Sequence, residues 1–101
     1  MAQPKINIPL KQIEDFCRRW KIKEFALFGS VLREDFRPDS DIDVLVSFEM
    51  DGGITFDNRV EMLDELAEIF GREVDLVEKN GIRNPFRRHD ILTTKEVVYA
   101  A

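Results

Sequence analysis

Phe28-Gly-Ser-Val-Leu-Arg-Glu-Asp-Phe-Arg-Pro-Asp-Ser-Asp-Ile-Asp-Val-Leu-Val46 is the stretch whose reading decides the fold of this 101-residue chain. An apolar, aromatic segment, Phe25-Ala-Leu-Phe28, stops at Gly29 and reads as a buried strand. Ser30 then fits the cap of a short helix to about Asp35, Arg37-Pro-Asp-Ser40 is a turn, and Asp41 to Phe48 is a strong strand. Gly29-Ser30 and Asp41-Ile42-Asp43 are thus separated by ten residues and held at the ends of two strands. A glycine turn opening a helix presents backbone N–H groups and a hydroxyl, which suits a polyphosphate. Two aspartates at i and i+2 on a strand share one face, repel each other, and are relieved by a divalent cation. A phosphate cradle beside paired carboxylates is what chemistry on a nucleoside triphosphate requires.

Outward from this run the chain alternates helices and strands. Residues 1–7 read as a tail. Pro9 suits the first turn of a helix whose apolar stripe is Leu10, Ile13, Phe16, Cys17 and Trp20. Met50-Asp-Gly-Gly-Ile54 is a loop, and Thr55 caps a helix that ends at Gly71 with Phe56, Val60, Leu63, Leu66, Ala67 and Phe70 toward the core. Glu73 to Glu78 alternates as a strand, Asn84-Pro85 starts a helix to about Leu92, and Val97-Val98-Tyr99 is a last strand. The expected architecture is a single α/β (α+β) domain over residues 1–101, with a small mixed sheet of about four strands and helices packed on it.

Composition narrows the chemistry. One cysteine, Cys17, and one histidine, His89, rule out a disulfide framework and any Cys- or His-built metal site. A metal must take oxygen ligands, which favours magnesium or manganese. A net charge of -5 argues against direct nucleic-acid binding. No segment is long and apolar enough for a membrane span, no signal peptide is visible, and cytoplasm is the expected compartment.

Each candidate has a plainer alternative. Gly29 and Ser30 taken alone are a glycine turn with an ordinary helix cap. Asp41 and Asp43 alone are a strand end reaching water. As a calcium loop starting at Asp39 the segment fails, because Val44 and Met50 stand where glycine and glutamate are needed. Asp75, between Val74 and Leu76, becomes a third carboxylate only if its strand lies beside that of Asp41–Phe48; it could then bind metal or take the proton of an attacking hydroxyl. Otherwise it is an exposed edge residue. Arg33 lies one turn after Ser30 and could steady a phosphate, while Arg83, Arg87 and Arg88 could meet a phosphate or an acidic partner. For these arginines a solvated surface is an equal reading.

The run Gly29-Ser30, ten residues, Asp41-Ile42-Asp43, with Val74-Asp75-Leu76-Val77 and Pro85-Phe-Arg-Arg-His-Asp-Ile-Leu92, resembles the minimal nucleotidyltransferases of the polymerase-β-type superfamily over about residues 8 to 99. The resemblance implies the nucleotidyltransferase fold, with Gly29 and Ser30 holding the β- and γ-phosphates of ATP and Arg33 and Ser40 beside them. It implies that Asp41, Asp43 and Asp75 are the catalytic carboxylates and ligands of two magnesium ions, or manganese. AMP would pass from ATP to an acceptor hydroxyl with loss of pyrophosphate. It further implies an antitoxin that binds and adenylylates a HEPN-domain ribonuclease toxin. A domain this small, with metal and nucleotide sites but little else, is expected to take its acceptor from another chain, in a homo- or hetero-oligomer. Two other functions stay open: a binding module that neutralises its partner by occlusion, and a small-molecule nucleotidyltransferase whose pocket a partner chain completes.

Overall fold

The computed structural model describes residues 8–32, 37, 40–49 and 56–100, without the side chains of 56 and 57. The order is α1 (Leu10–Trp20), β1 (Ile22–Phe28), a 3-10 turn (Gly29–Leu32), β2 (Ile42–Phe48), α2 (Phe56–Phe70), β3 (Val74–Glu78), a second 3-10 turn (Lys79–Gly81), α3 (Pro85–Thr94) and β4 (Glu96–Ala100). One mixed sheet has the order β3-β2-β1-β4. β1 runs antiparallel to β2 and β4, while β2 and β3 are parallel and joined through α2. That parallel pair follows from the sequence between its strands, since only a helical crossover returns a chain in the same direction.

Each face of the sheet has its own core. On one, Ile13, Phe16 and Cys17 of α1 and Met62 and Leu66 of α2 close over Phe25, Leu27, Ile42, Val44, Val46 and Leu76. Phe16 meets Phe25 edge-on at 6.2 Å between ring centroids, and Trp20 donates from Nε1 to Glu65 at 3.1 Å, tying α1 to α2. On the other face, Ala26, Phe28 and Leu45 pack with Ile82 and Ile91, flanked by Val77 and Leu92. Among the described residues α3 is the only helix that packs on this second face. By strand alternation Asp43 shares this face with Leu45, and Asp75 shares it with Val77.

The expected elements are present, with differences that have physical causes. β1 starts at Ile22, earlier than Phe25, because polar Lys23 and Glu24 mask its first turn of pleat and a bulge between Ile22 and Glu24 shifts the alternation. Leu10 is exposed: it stands at the first position of α1, before the helix lies fully on the sheet. Val60 is also exposed, while Met62 is buried beside the expected Leu66, so the core face of α2 is shifted to one side of the expected stripe. The segment after β1 is a 3-10 turn beginning at Gly29, and not an α-helix capped by Ser30. The expected tail, the Met50–Ile54 loop and Thr55 lie outside the described residues. No helix of the described residues is long and apolar enough to cross a membrane.

Candidate active site

The site begins where β1 ends. Gly29 has φ +77°, a conformation that L side chains resist, and it turns the chain sharply out of the sheet. Its neighbour Phe28 stands opposite Asp43 in the antiparallel register. A Cβ on residue 29 would overlap Asp43 Oδ2 and stand 3.2 Å from its Cγ and 3.4 Å from its Cβ. The missing side chain of Gly29 is therefore the space that the Asp43 carboxylate occupies. Ser30 follows in the first turn of the 3-10 segment, half-buried.

The parallel register sets Asp43 directly against Asp75, and Ile42 N–H donates to Glu73 O at 3.0 Å where the two strands meet. This is the adjacency on which the role of Asp75 depends. Two carboxylates on neighbouring strands at one register position oppose each other electrostatically. β3 is at the same time an edge strand, so Asp75 is exposed as well as adjacent.

Asp41 differs from the expectation. It precedes β2, which begins at Ile42, so strand alternation does not fix its side chain beside that of Asp43. It borders a cavity of about 360 Å³ with Asp75, Glu73 and the α2 residues Leu63, Asp64 and Ala67. Gly29 borders a different cavity, about 380 Å³, against α3. Among the described residues no three histidine, cysteine or carboxylate side chains are gathered as a ready-made metal cage.

Ser40 closes the turn before β2: its hydroxyl accepts from Arg37 N–H at 3.0 Å, and its own N–H donates to Arg37 O at 3.0 Å. Arg72 donates to the carbonyls of Arg37 and Ser40, both at 3.3 Å. The turn that aims Asp41 is thus pinned from the end of α2. Arg33 lies outside the described residues. Sequence reasoning had no signal for Arg72, since its role depends on a contact across 32 residues. Arg88 donates to Lys79 O at 2.7 Å and serves the packing of α3, while Cys17 is fully buried and burial pushes its thiol up to about 12.

A sheet of this order, with a glycine turn seated against an aspartate of the next strand and a carboxylate beside it on the third, defines a nucleotidyltransferase domain. The nucleotidyltransferase-domain family model matches residues 10–98, and the chain belongs to that family. A provisionally named protein adenylyltransferase of Methanocaldococcus jannaschii is 37% identical over 73 residues, 72% of this chain and 73% of that protein. Protein adenylyltransferase MntA of Thermococcus cleftensis is 32% identical over 86 residues, 85% of this chain and 82% of that protein. Among solved structures, the complex of a tri-AMPylated Shewanella oneidensis HEPN toxin with its MNT antitoxin contains a chain of the same fold. It superposes with a TM-score of 0.67 at 22% identity over 91% of this chain and 70% of that one.

Proposed function

We propose that this chain is a protein adenylyltransferase of the MntA type, which transfers AMP from ATP to a hydroxyl of a HEPN toxin and acts as its antitoxin. The observation that carries nucleotidyl transfer is the seat of Asp43 against the bare backbone of Gly29, with Asp75 in register beside it. The likeness to protein adenylyltransferases over most of the chain supports a protein acceptor. The HEPN partner is supported by the shared fold with the antitoxin of the Shewanella complex.

The residues present fit magnesium. Every donor is a hard carboxylate oxygen, and magnesium is commonly bound by one or two carboxylates together with substrate phosphates, which needs no closed protein cage. Asp41, Asp43 and Asp75 would hold it, and when bound it would supply charge stabilisation to the transferring phosphoryl group and the leaving pyrophosphate. The chain's own part is positional. The Gly29-Ser30 turn offers N–H groups and a hydroxyl to the β- and γ-phosphates, with no Cβ between them and Asp43. The acceptor oxygen attacks the α-phosphorus, the new O–P bond forms as the α–β bridging bond breaks, and pyrophosphate leaves. Asp75 takes the hydroxyl proton from an acceptor that arrives from another chain, a role supported by its exposure on an edge strand.

Incubation with α-labelled ATP, magnesium and the HEPN toxin should label the toxin, and chelation or Asp43→Asn should abolish the labelling. Label that persists in Asp43→Asn defeats the catalytic assignment. Full neutralisation of the toxin by an unlabelling variant would instead assign the antitoxin effect to occlusion.

A further inference from the structure

Arg87 is the residue shared by two cavities that flank the site. The first, about 380 Å³, is bordered by Gly29 and by Asp90 and Thr94 of α3. The second, about 350 Å³, is bordered by Asp75 and Gly81. Arg87 of α3 lines both, on one side with the glycine turn and on the other with the carboxylate strand.

The backbone of Arg87 is fixed while its guanidinium is uncommitted. Its N–H donates to Asn84 Oδ1 at 3.2 Å, as part of the cap that also takes Phe86 N–H at 2.9 Å. No ion pair or hydrogen bond engages the guanidinium among the described residues. The other arginines near the site are occupied: Arg59 donates to Leu76 O, Arg72 to the carbonyls of the Ser40 turn, and Arg88 to Lys79 O. Asp90 borders the first cavity with Arg87, yet the two make no ion pair. A site with this many carboxylates needs fixed positive charge to hold a triphosphate, and a planar guanidinium is the side chain best matched to phosphate oxygens.

We propose that Arg87 binds the triphosphate of the nucleotide, bridging the phosphates held at Gly29-Ser30 and the reacting end beside Asp75, and that it retains the pyrophosphate as it departs. The inference rests on the nucleotidyltransferase site described above. Because Arg87 is exposed and makes no contact that the fold needs, its replacement leaves the melting temperature unchanged and isolates binding from folding.

The test is calorimetric titration of the intact chain with MgATP, magnesium pyrophosphate and adenosine. Arg87→Gln is expected to weaken MgATP and pyrophosphate about ten- to a hundred-fold, the scale of one charge-assisted phosphate contact, and to leave adenosine unchanged. Arg87→Lys should recover part of the loss, since a point charge is kept without the fork. Arg83→Gln, whose arginine borders neither cavity, should bind as the wild type. Undiminished pyrophosphate binding in Arg87→Gln, with MgATP binding lost in Asp43→Asn, overturns the role of Arg87 alone. Arg87→Gln that binds MgATP normally but loses the toxin also overturns it and assigns the arginine to partner docking. No MgATP binding by the wild type, or binding unaltered in Asp43→Asn, defeats the underlying site and this inference with it.

Discussion

Replacing Gly29 with alanine separates what the glycine does for the fold from what it does for the site, provided Gly71 is replaced in parallel. Both glycines are left-handed, with φ +77° and +70°. An alanine in that region costs about 1 kcal/mol, with a spread to about 2. For a domain of this length 1 kcal/mol lowers the melting temperature by about 4–8 °C. At Gly71, the C-terminal cap of α2, a new Cβ meets nothing within 4 Å, so the backbone cost is the whole effect. At Gly29 the Cβ overlaps the Asp43 carboxylate, whose Cγ is only 3.2 Å away. The atom met is the outer end of the Asp43 side chain, which can turn about its own bonds, so relief of the clash adds little to the stability loss but removes Asp43 from its seat. Thermal melts of the two variants should therefore agree within about 1 kcal/mol, while toxin labelling falls at least about a hundred-fold in Gly29→Ala only, the scale lost when a reacting group is misplaced by about 1 Å. Equal labelling by both variants would refute the reasoning. So would a Gly29→Ala chain that fails to fold while Gly71→Ala folds normally, because the clash would then belong to the core.

Cys17, with its thiol raised to about 12 by burial, stays protonated in the native state after an unfolded chain has ionised. The native state then holds the extra proton, so the contribution is complete below about pH 9 and is lost toward pH 12, at up to about 1.4 kcal/mol per unit; pH-dependent denaturation of wild type against Cys17→Ala reads the difference. Native protein should also resist a thiol reagent until it is unfolded. Asn84→Ala removes the acceptor of two N–H groups at the start of α3 and should cost about 1 kcal/mol by chemical denaturation, together with weaker MgATP binding, since the cap fixes the backbone of Arg87. Asp75→Asn removes one of two like charges at a shared register position and should raise the melting temperature of the metal-free chain by about 2–4 °C while abolishing labelling; a lower melting temperature would show that Asp75 is a structural group.

The residues that could be read from sequence are those whose role is local. Gly29 ends an apolar strand, Asn84-Pro85 opens a helix and Gly71 closes one; each acts on its own backbone, and each is where it was expected. What escaped depends on contacts across the chain. The face of α2 is set by the burial of Met62 beside Leu66, which the pattern does place toward the core, and it leaves Val60 exposed. Ser40 lies next to the aspartate pair in sequence and reads as a nucleotide contact, but its hydroxyl also accepts the Arg37 N–H that closes the turn, a contact that three-residue spacing permits and does not announce. Asp41 shared the strand pattern with Asp43 yet falls just before the strand, where alternation ceases to bind. Arg87 is one of three similar arginines in sequence, and only its place in the lining of two cavities distinguishes it.

The adjacency of Asp43 and Asp75 depends on topology in a way that explains why so small a domain can carry this chemistry. The antiparallel β1–β2 pair brings the exit of one strand to the entry of the next, so Gly29 and Asp43 meet though fourteen positions apart. The parallel β2–β3 pair, made possible by α2, brings two strand entries together, so Asp75 joins them at the same end of the sheet. A shift of one residue in either register would turn a carboxylate to the α1 and α2 side and bury it in the core of Val44 and Leu76. Those buried residues therefore protect the site as well as the fold: a register slip costs the burial of an unpaired charge, several kcal/mol, far beyond any gain from separating the two aspartates. The repulsion between the aspartates, about a kcal/mol or less at the surface, is kept because the apolar residues alternating with them leave the strands no better register.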